Sequence, residues 1–313
     1  MKKLHFKKLS FYFIHLMKLL RPRFYLLKLS LFELARVNQF DSRELNDRVS
    51  YYCKVNSQFT FNLDSKSYKD LTIFAGRSAP CLDLKQYMRY FRRDLKFDFD
   101  FSDHGGSPHQ PTFVKCRPLK ENNSNYVLMK LNSGRFYDFD KDKRPFIAKA
   151  DTAVFRGPCH KKHRQTFIEN TFRLPNTDIG DTRKSVQAEP YYKSFLSIPD
   201  QLLNKYIISV EGNDVASNLP WIMASNSLAF MTKPTYEGWF MQGKLIPDYH
   251  YVLLKDDYSD LPEKIDYYNR HTDESLEIIA NAQKHVAQFF DHKREKLISL
   301  LVLKKYFELS GQM

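Results

Sequence analysis

The stretch YIISVEGNDVASNLPWIMASNSLAFM, Tyr206–Met231, decides the reading of this chain. It opens on an apolar run, Tyr206–Val210, and turns through EGND at Glu211–Asp214. It then enters a helix-like segment and closes on a second apolar run, Leu228–Met231. Strand, turn, helix and strand form the repeating unit of a parallel sheet covered by helices. Ligands bind such sheets beyond the carboxyl ends of the strands. A turn holding two carboxylates and a glycine at that place is therefore a candidate site. Glu211 and Asp214 can hold a ribose diol there, and Asp214 can equally cap the helix that follows.

The same alternation runs outward from this unit. TAVFRG reads as strand and turn, HRQTFIENTF as helix, HYVLLK as strand and YEGWFM as a short helix. DLPEKIDYYNRH reads as a helix with a capping box, Asp260 and Glu263, and 273–310 as one long helical region. After TAVF comes RGPCHKKHR, where a glycine turn and a basic cluster meet a helix start. A helix N-terminus with free N–H groups suits phosphate oxygens, and Arg156 and Arg164 can add bidentate contacts. A solvated charged turn is the alternative. No Walker A motif and no G-x-G-x-x-G occurs, so kinase and dinucleotide readings have no support.

Earlier in the chain, DLTIFAG (70–76) reads as a strand and LDLKQYMRYFRRDL (82–95) as a helix. KFDFDF (96–101) alternates strictly, placing Phe97, Phe99 and Phe101 on one face and Asp98 and Asp100 on the other. A loop, SDHGGSPHQP, follows, and then the short strands TFVKCRP and NYVLMKL. D-x-D, a metal-binding signature, occurs at Asp98/Asp100 and at Asp138/Asp140. The alternation explains the first pair and a charged turn the second.

The 313 residues carry a net charge of +13, and the first 40 hold nine basic residues against one acid, Glu33. Lys18, Arg21, Pro22 and Arg23 interrupt every apolar run there, so neither a membrane span nor a signal peptide is expected. A basic segment rich in Phe, Leu and Tyr can lie on an anionic membrane surface. The alternative is an amphipathic helix packed on the protein's own core. Beyond residue 40 the excess is small and forms no stripe, which argues against a nucleic-acid partner. Four dispersed cysteines fit reduced thiols, and CHKKH (Cys159–His163) lacks the further ligand a zinc site needs.

Taken together, KYIISVEGNDVASNLPWIMASNSLAFM (205–231), KPTYEGWFMQGKLIPDYHYVLLKDDYSDLPEKI (233–265), AVFRG (153–157) and PTFVKCRP (111–118) resemble glycosyltransferase family 90. The likeness is greatest to its bacterial lipopolysaccharide glycosyltransferases, relatives of the protein O-glucosyltransferases. It covers roughly residues 85–290 and is strongest over 205–265. The resemblance implies an α/β chain of GT-B architecture, two Rossmann-like domains facing a cleft. It also implies a UDP-linked sugar donor, inversion at the anomeric carbon, and no obligatory metal or other cofactor.

By the same resemblance, Arg156, Gly157 and Arg164 fall where the family holds donor phosphates. Glu211, Gly212 and Asp214 fall in its donor turn, and Glu237 of YEGWF falls in a second donor motif. Asp103 falls at the position of its base, with His104 as rival, because the neighbours His104, Gly105 and Gly106 depart from the eukaryotic pattern. The expected organisation is a basic membrane-surface segment (1–40), an acceptor-side domain (41–150), a donor domain (151–290) and a C-terminal helix (291–313). The expected enzyme is cytosolic, peripheral to the inner membrane, and moves glucose or galactose to a lipopolysaccharide core sugar. A metal-dependent GT-A transferase and a non-catalytic polyanion- or polysaccharide-binding protein are the alternatives.

Overall fold

A computed structural model describes residues 2–61, 65–72, 78–120, 122–131 and 141–313. The chain divides into two compact units. Unit 1 comprises residues 1–138, 236–239 and 289–313, and unit 2 comprises 139–235 and 240–288.

Unit 1 begins with helices α1 (Lys2–Leu20), α2 (Arg23–Ala35) and α3 (Ser42–Tyr52). Asp41 starts α3 by accepting from the amides of Arg43 and Glu44, satisfying donors a helix end leaves open. Its buried residues Leu45, Arg48, Val49 and Tyr52 lie on one face at helical spacing. Helix α4 (Ser78–Met88) follows. The sheet has the order β1-β2-β3-β5, from Lys66–Ser67 (β1), Lys96–Asp100 (β2), Thr112–Val114 (β3) and Tyr126–Leu128 (β5). Strands β2, β3 and β5 are parallel, and β1 is antiparallel to β2. Phe97 and Phe113 are fully buried beneath the helix His292–Leu309, and the Phe113 ring centroid lies 4.2 Å from that of Tyr306.

A second ladder in unit 1 joins Cys116–Pro118 (β4) to Tyr236–Gly238 (β10), antiparallel, with Arg117 opposite Glu237. The expected short helix at YEGWFM is therefore a strand. Its partner lies over a hundred residues away, and a Cβ on Gly238 would come within 2.9 Å of the Lys115 carbonyl. Local spacing carries no record of such a partner.

Unit 2 holds a five-stranded, wholly parallel sheet in the order β11-β9-β8-β6-β7. The strands are Ala150–Gly157 (β6), Thr177–Asp181 (β7), Asn204–Ile208 (β8), Leu228–Met231 (β9) and Val252–Leu253 (β11). Every residue of β9 is buried, as are Tyr206–Ile208 and Ala153–Phe155, because helices cover both faces. Phe167 and Ile168 of the helix Lys162–Thr171 (α5), and Leu261, Ile265 and Tyr268 of the helix Leu261–Arg270, pack into this core. Burying each such side chain contributes about 1.5–3 kcal/mol.

Three other local expectations give way. The region 273–310 is two helices, Thr272–Ala287 and His292–Leu309. Asp260 caps no helical amide with its side chain and accepts from the Lys255 amide instead. The helix after EGND begins at Leu219, with Asn218 as its N-cap, so Asp214 lies outside it. The expected strand at 70–76 falls largely on undescribed residues, and Asp138 and Asp140 lie outside the described residues altogether. Among the described residues, no helix is long and apolar enough to cross a membrane.

Candidate functional site

In unit 2 the chain leaves β6 for β7 on one side, then crosses back to β8 on the other. The winding direction reverses between β6 and β8, and at such a switch point a crevice opens beyond the carboxyl ends. RGPC ends β6 and opens the turn after it, and EGND follows β8, so two turns far apart in sequence border one crevice.

Arg164, in the first turn of α5, ties the two turns together. Its guanidinium donates to the Pro158 carbonyl at 3.0 Å, to Val210 at 2.6 Å and to Glu211 at 2.7 Å. Burial lowers its pKa, and arginine stays charged at neutral pH all the same. His163 Nε2 also lies 2.8 Å from the Glu211 carbonyl. The Glu211 carboxylate is oriented by Thr235, accepting from its amide at 3.0 Å and from its hydroxyl. The Gly212 amide donates to the Asp214 carbonyl, closing the EGND turn. The cap of α5 is Lys161, which offers no side-chain acceptor to the first helical amides, and no acid stands in the first turn. That leaves an electropositive helix end beside Gly157 and Arg164.

Arg156 goes elsewhere. Its Nη2 donates to both carboxylate oxygens of Asp178, at 2.6 and 2.7 Å. Asp178 sits opposite Val154, so the Arg156 side chain reaches back from the carboxyl end of β6. Burial opposes ionisation of Asp178, but Arg156 and Lys193 outweigh it and hold the carboxyl below its ordinary value. Asp181, which the sequence did not single out, closes the end of β7. It accepts from the amides of Cys159 and Arg183 and from the Arg183 guanidinium. Burial, reinforced by Asp181, pushes the Cys159 thiol to about 12, so it is a neutral core group.

Glu237 belongs to unit 1 and is fully buried. It accepts from Arg117 Nε at 2.7 Å and from the Tyr51 hydroxyl. Arg117, equally buried, also donates to the carbonyls of Tyr51, Tyr52 and Tyr126. Two residues on, Trp239 stacks on Tyr52 at 3.8 Å and donates to Glu295 at 2.5 Å.

Asp103 is half-buried in unit 1, opening a turn after β2 and paired with Lys115 Nζ at 2.5 Å. His104 is exposed with φ at 71°, an uncommon conformation for a side chain-bearing residue, and its Nδ1 lies 3.0 Å from the Tyr236 hydroxyl. Gly106 has φ 68° and ψ −149°, a region nearly confined to glycine, and a Cβ there would lie 2.3 Å from Asp100 Oδ2. Gly106→Ala is therefore expected to destabilise unit 1 by about 1–3 kcal/mol. Thermal unfolding checks this, and an unchanged midpoint would show that the loop has another conformation.

A doubly wound parallel sheet with charged turns gathered at its switch point places this chain among the ligand-binding α/β folds. Comparison with known proteins narrows that class. A model of glycosyl transferase family 90 matches residues 130–310. Over 307 residues, 96% of either chain, the sequence is 39% identical to the O-glucosyltransferase LpsA of Dichelobacter nodosus. It is 27% identical over 169 residues to protein O-glucosyltransferase 3 of Homo sapiens, covering 52% of this chain and 33% of that one. The crystal structure of the C-terminal domain of a glycosyl transferase group 1 family protein, LpcC of Francisella tularensis, aligns with 51% of this chain and 98% of its own. Its TM-score is 0.36 at 14% identity. The chain belongs to glycosyltransferase family 90 and is a hexosyltransferase.

Proposed function

We propose that the enzyme moves a hexose, glucose or galactose, from a UDP-sugar to a sugar of the lipopolysaccharide core, with inversion, at the inner-membrane surface. The observation that carries the donor side is Arg164 tying RGPC to EGND at the switch point. The O-glucosyltransferase of Dichelobacter nodosus, similar over nearly the whole chain, supports a hexose donor, and the resemblance of the motifs to lipopolysaccharide glycosyltransferases suggests the acceptor.

In this reading unit 2 takes the donor and unit 1 supplies the base, in a GT-B arrangement. The diphosphate lies at the N-terminus of α5, beside Gly157, Gly212 and Arg164. Glu211, aimed by Thr235, takes the ribose hydroxyls, with Asp214 closing the turn. Of the two glutamates, Glu211 suits this role because it lies in the turn after β8, whereas Glu237 is fully buried against Arg117 and Tyr51. Asp103 removes the proton from the acceptor hydroxyl as its oxygen attacks the anomeric carbon. The bond from that carbon to the UDP oxygen breaks, and the electron pair leaves on the diphosphate. The helix end and Arg164 stabilise that charge. Lys115 orients Asp103 through its ion pair.

The test offers UDP-glucose, UDP-galactose and UDP-xylose with truncated core lipopolysaccharide, in EDTA. Acceptor-dependent UDP release from a hexose donor is expected. Release only with added divalent metal sinks the metal-free reading, and release only from UDP-xylose sinks the hexose. Arg164→Lys is expected to weaken UDP binding about tenfold or more by calorimetry, since one ammonium cannot span three carbonyls and a phosphate. Unchanged affinity would remove Arg164 from the donor site.

A further inference from the structure

Residues 2–20 and 23–35 form two helices, and from Leu9 onward their outward faces carry large apolar side chains. On α1, Leu9, Phe13, Leu16 and Leu20 recur at spacings of four, three and four, and all are exposed. On α2, Phe24, Leu27 and Leu31 continue the pattern, with Leu31 75% exposed. The opposite faces do the packing. His15 is buried against Asp83 at 3.1 Å, Tyr12 meets Ser78 at 2.7 Å, and Leu26 and Glu33 are buried. Arg89 of unit 1 grips the turn between the helices, donating to the carbonyls of Lys18 and Arg21. The helices are thus held in place with an apolar stripe facing out, which monomeric soluble proteins rarely leave uncovered.

Beside that stripe lies a cavity of about 580 Å³ between these helices, α4 and the helix His292–Leu309. Lys18, Arg21, Arg89, Lys130 and Lys296 line it, against one carboxylate, Glu295. Glu295 is itself shared with Arg48 at 2.5 Å and with Trp239. Glu33 takes Lys296 at 2.7 Å and Asp83 acts on Lys18, so five cations stand against three carboxylates in and around the cavity, an excess of positive charge. Burial lowers the pKa of Lys18; Asp83 opposes it, and Arg21, Lys296 and Lys130 add to the lowering, so these cations feel one another. Ile14 and Leu26 also line the cavity, and Ile14 is half-exposed one turn from Met17, so its wall continues into the apolar surface.

We infer that this cavity takes the phosphate of an anionic lipid headgroup while the stripe on α1 and α2 enters the bilayer. Two physical terms meet there. Exposed apolar side chains gain by leaving water, and converging ammonium and guanidinium groups gain by meeting a phosphate. The first 40 residues hold eight of the thirteen net positive charges, which complements an anionic leaflet and not a second copy of the same surface. The proposal concerns unit 1 alone; it rests on the inner-membrane location proposed above and does not depend on the donor chemistry.

The test is vesicle sedimentation without nucleotide sugar or glycolipid. Phosphatidylcholine vesicles are compared with vesicles containing phosphatidylglycerol. Binding is expected only with the anionic lipid, and excess inorganic phosphate at matched ionic strength is expected not to displace the protein. Lys18→Gln is expected to weaken binding about tenfold or more, and Lys28→Gln, at an exposed position outside the cavity, about fivefold or less. Phe13→Ser with Leu31→Ser is expected to abolish it. Circular dichroism verifies folding, and Arg21→Gln, outside both helices, serves if Lys18→Gln unfolds. Equal losses for Lys18→Gln and Lys28→Gln overturn the cavity. Displacement by free phosphate overturns the lipid as ligand, and a need for lipopolysaccharide in the vesicle assigns the site to the acceptor instead. Failure to bind anionic vesicles, with a dimer forming through the stripe in solution, overturns the membrane as its occupant.

Discussion

Replacing Asp103 by asparagine is expected to lower the rate of hexose transfer by about 10²–10⁴-fold, the usual contribution of a positioned general base. The carboxamide nearly matches the carboxylate in size, so the turn that begins at Asp103 keeps its form. What it cannot do is accept the acceptor's proton. Binding of UDP should stay unchanged, because Asp103 lies in unit 1 and the proposed donor contacts lie in unit 2. The ion pair to Lys115 is half-open to solvent, and its loss costs the fold little. Transfer and calorimetry on one preparation therefore separate a lost base from a damaged site. Transfer at the wild-type rate would move the base elsewhere, and His104, exposed beside it on the same turn, is next to be tested.

Glu237→Gln carries the second large effect, on stability. The Arg117 guanidinium is fully buried and Glu237 is its carboxylate partner at 2.7 Å. Removing one charge of a buried pair leaves the other uncompensated, at a cost of about 3–5 kcal/mol. In a unit of this size that lowers the midpoint of unfolding by roughly 10 °C. The pair holds Tyr236–Trp239 against β4, and Trp239 rests on Tyr52, so the loss is expected to loosen this ladder first. Below the new midpoint, UDP affinity should be that of the wild type. Weakened UDP binding with unchanged stability would return Glu237 to the donor site, as the motif alone suggested.

These two residues show how far a motif can be read. Asp103 was legible as a candidate through resemblance, because the loop after an alternating strand keeps its place in the chain. Arg164 and Glu211 were legible as candidates in separate turns, but not as partners. They meet because β6 and β8 are neighbours in the sheet, a fact about winding and not about local sequence. Arg156 looked equivalent to Arg164, and Asp178 takes it. Asp178 lies on β7, an edge strand with one large apolar residue, Ile179, whose pattern announces no strand. Asp181 escaped notice for the same reason.

By itself the sequence determined the class of the protein. Runs of buried β-rich residues alternating with helical spacing require a parallel sheet with helices on both faces, since no other packing hides both sides of strands such as Leu228–Met231. It marked out the first 40 residues as a basic segment rich in apolar residues, either a membrane-surface element or a helix packed on the protein's own core, because charge and periodicity are local properties. Only the tertiary structure decided which partner each charged group takes. Glu237 and Arg156 carry the same chemistry as Glu211 and Arg164, yet each is neutralised by a partner brought from elsewhere in the fold. A buried charge must find its counter-charge wherever the chain brings one, and that pairing is settled across the sheet, beyond the reach of any sequence window.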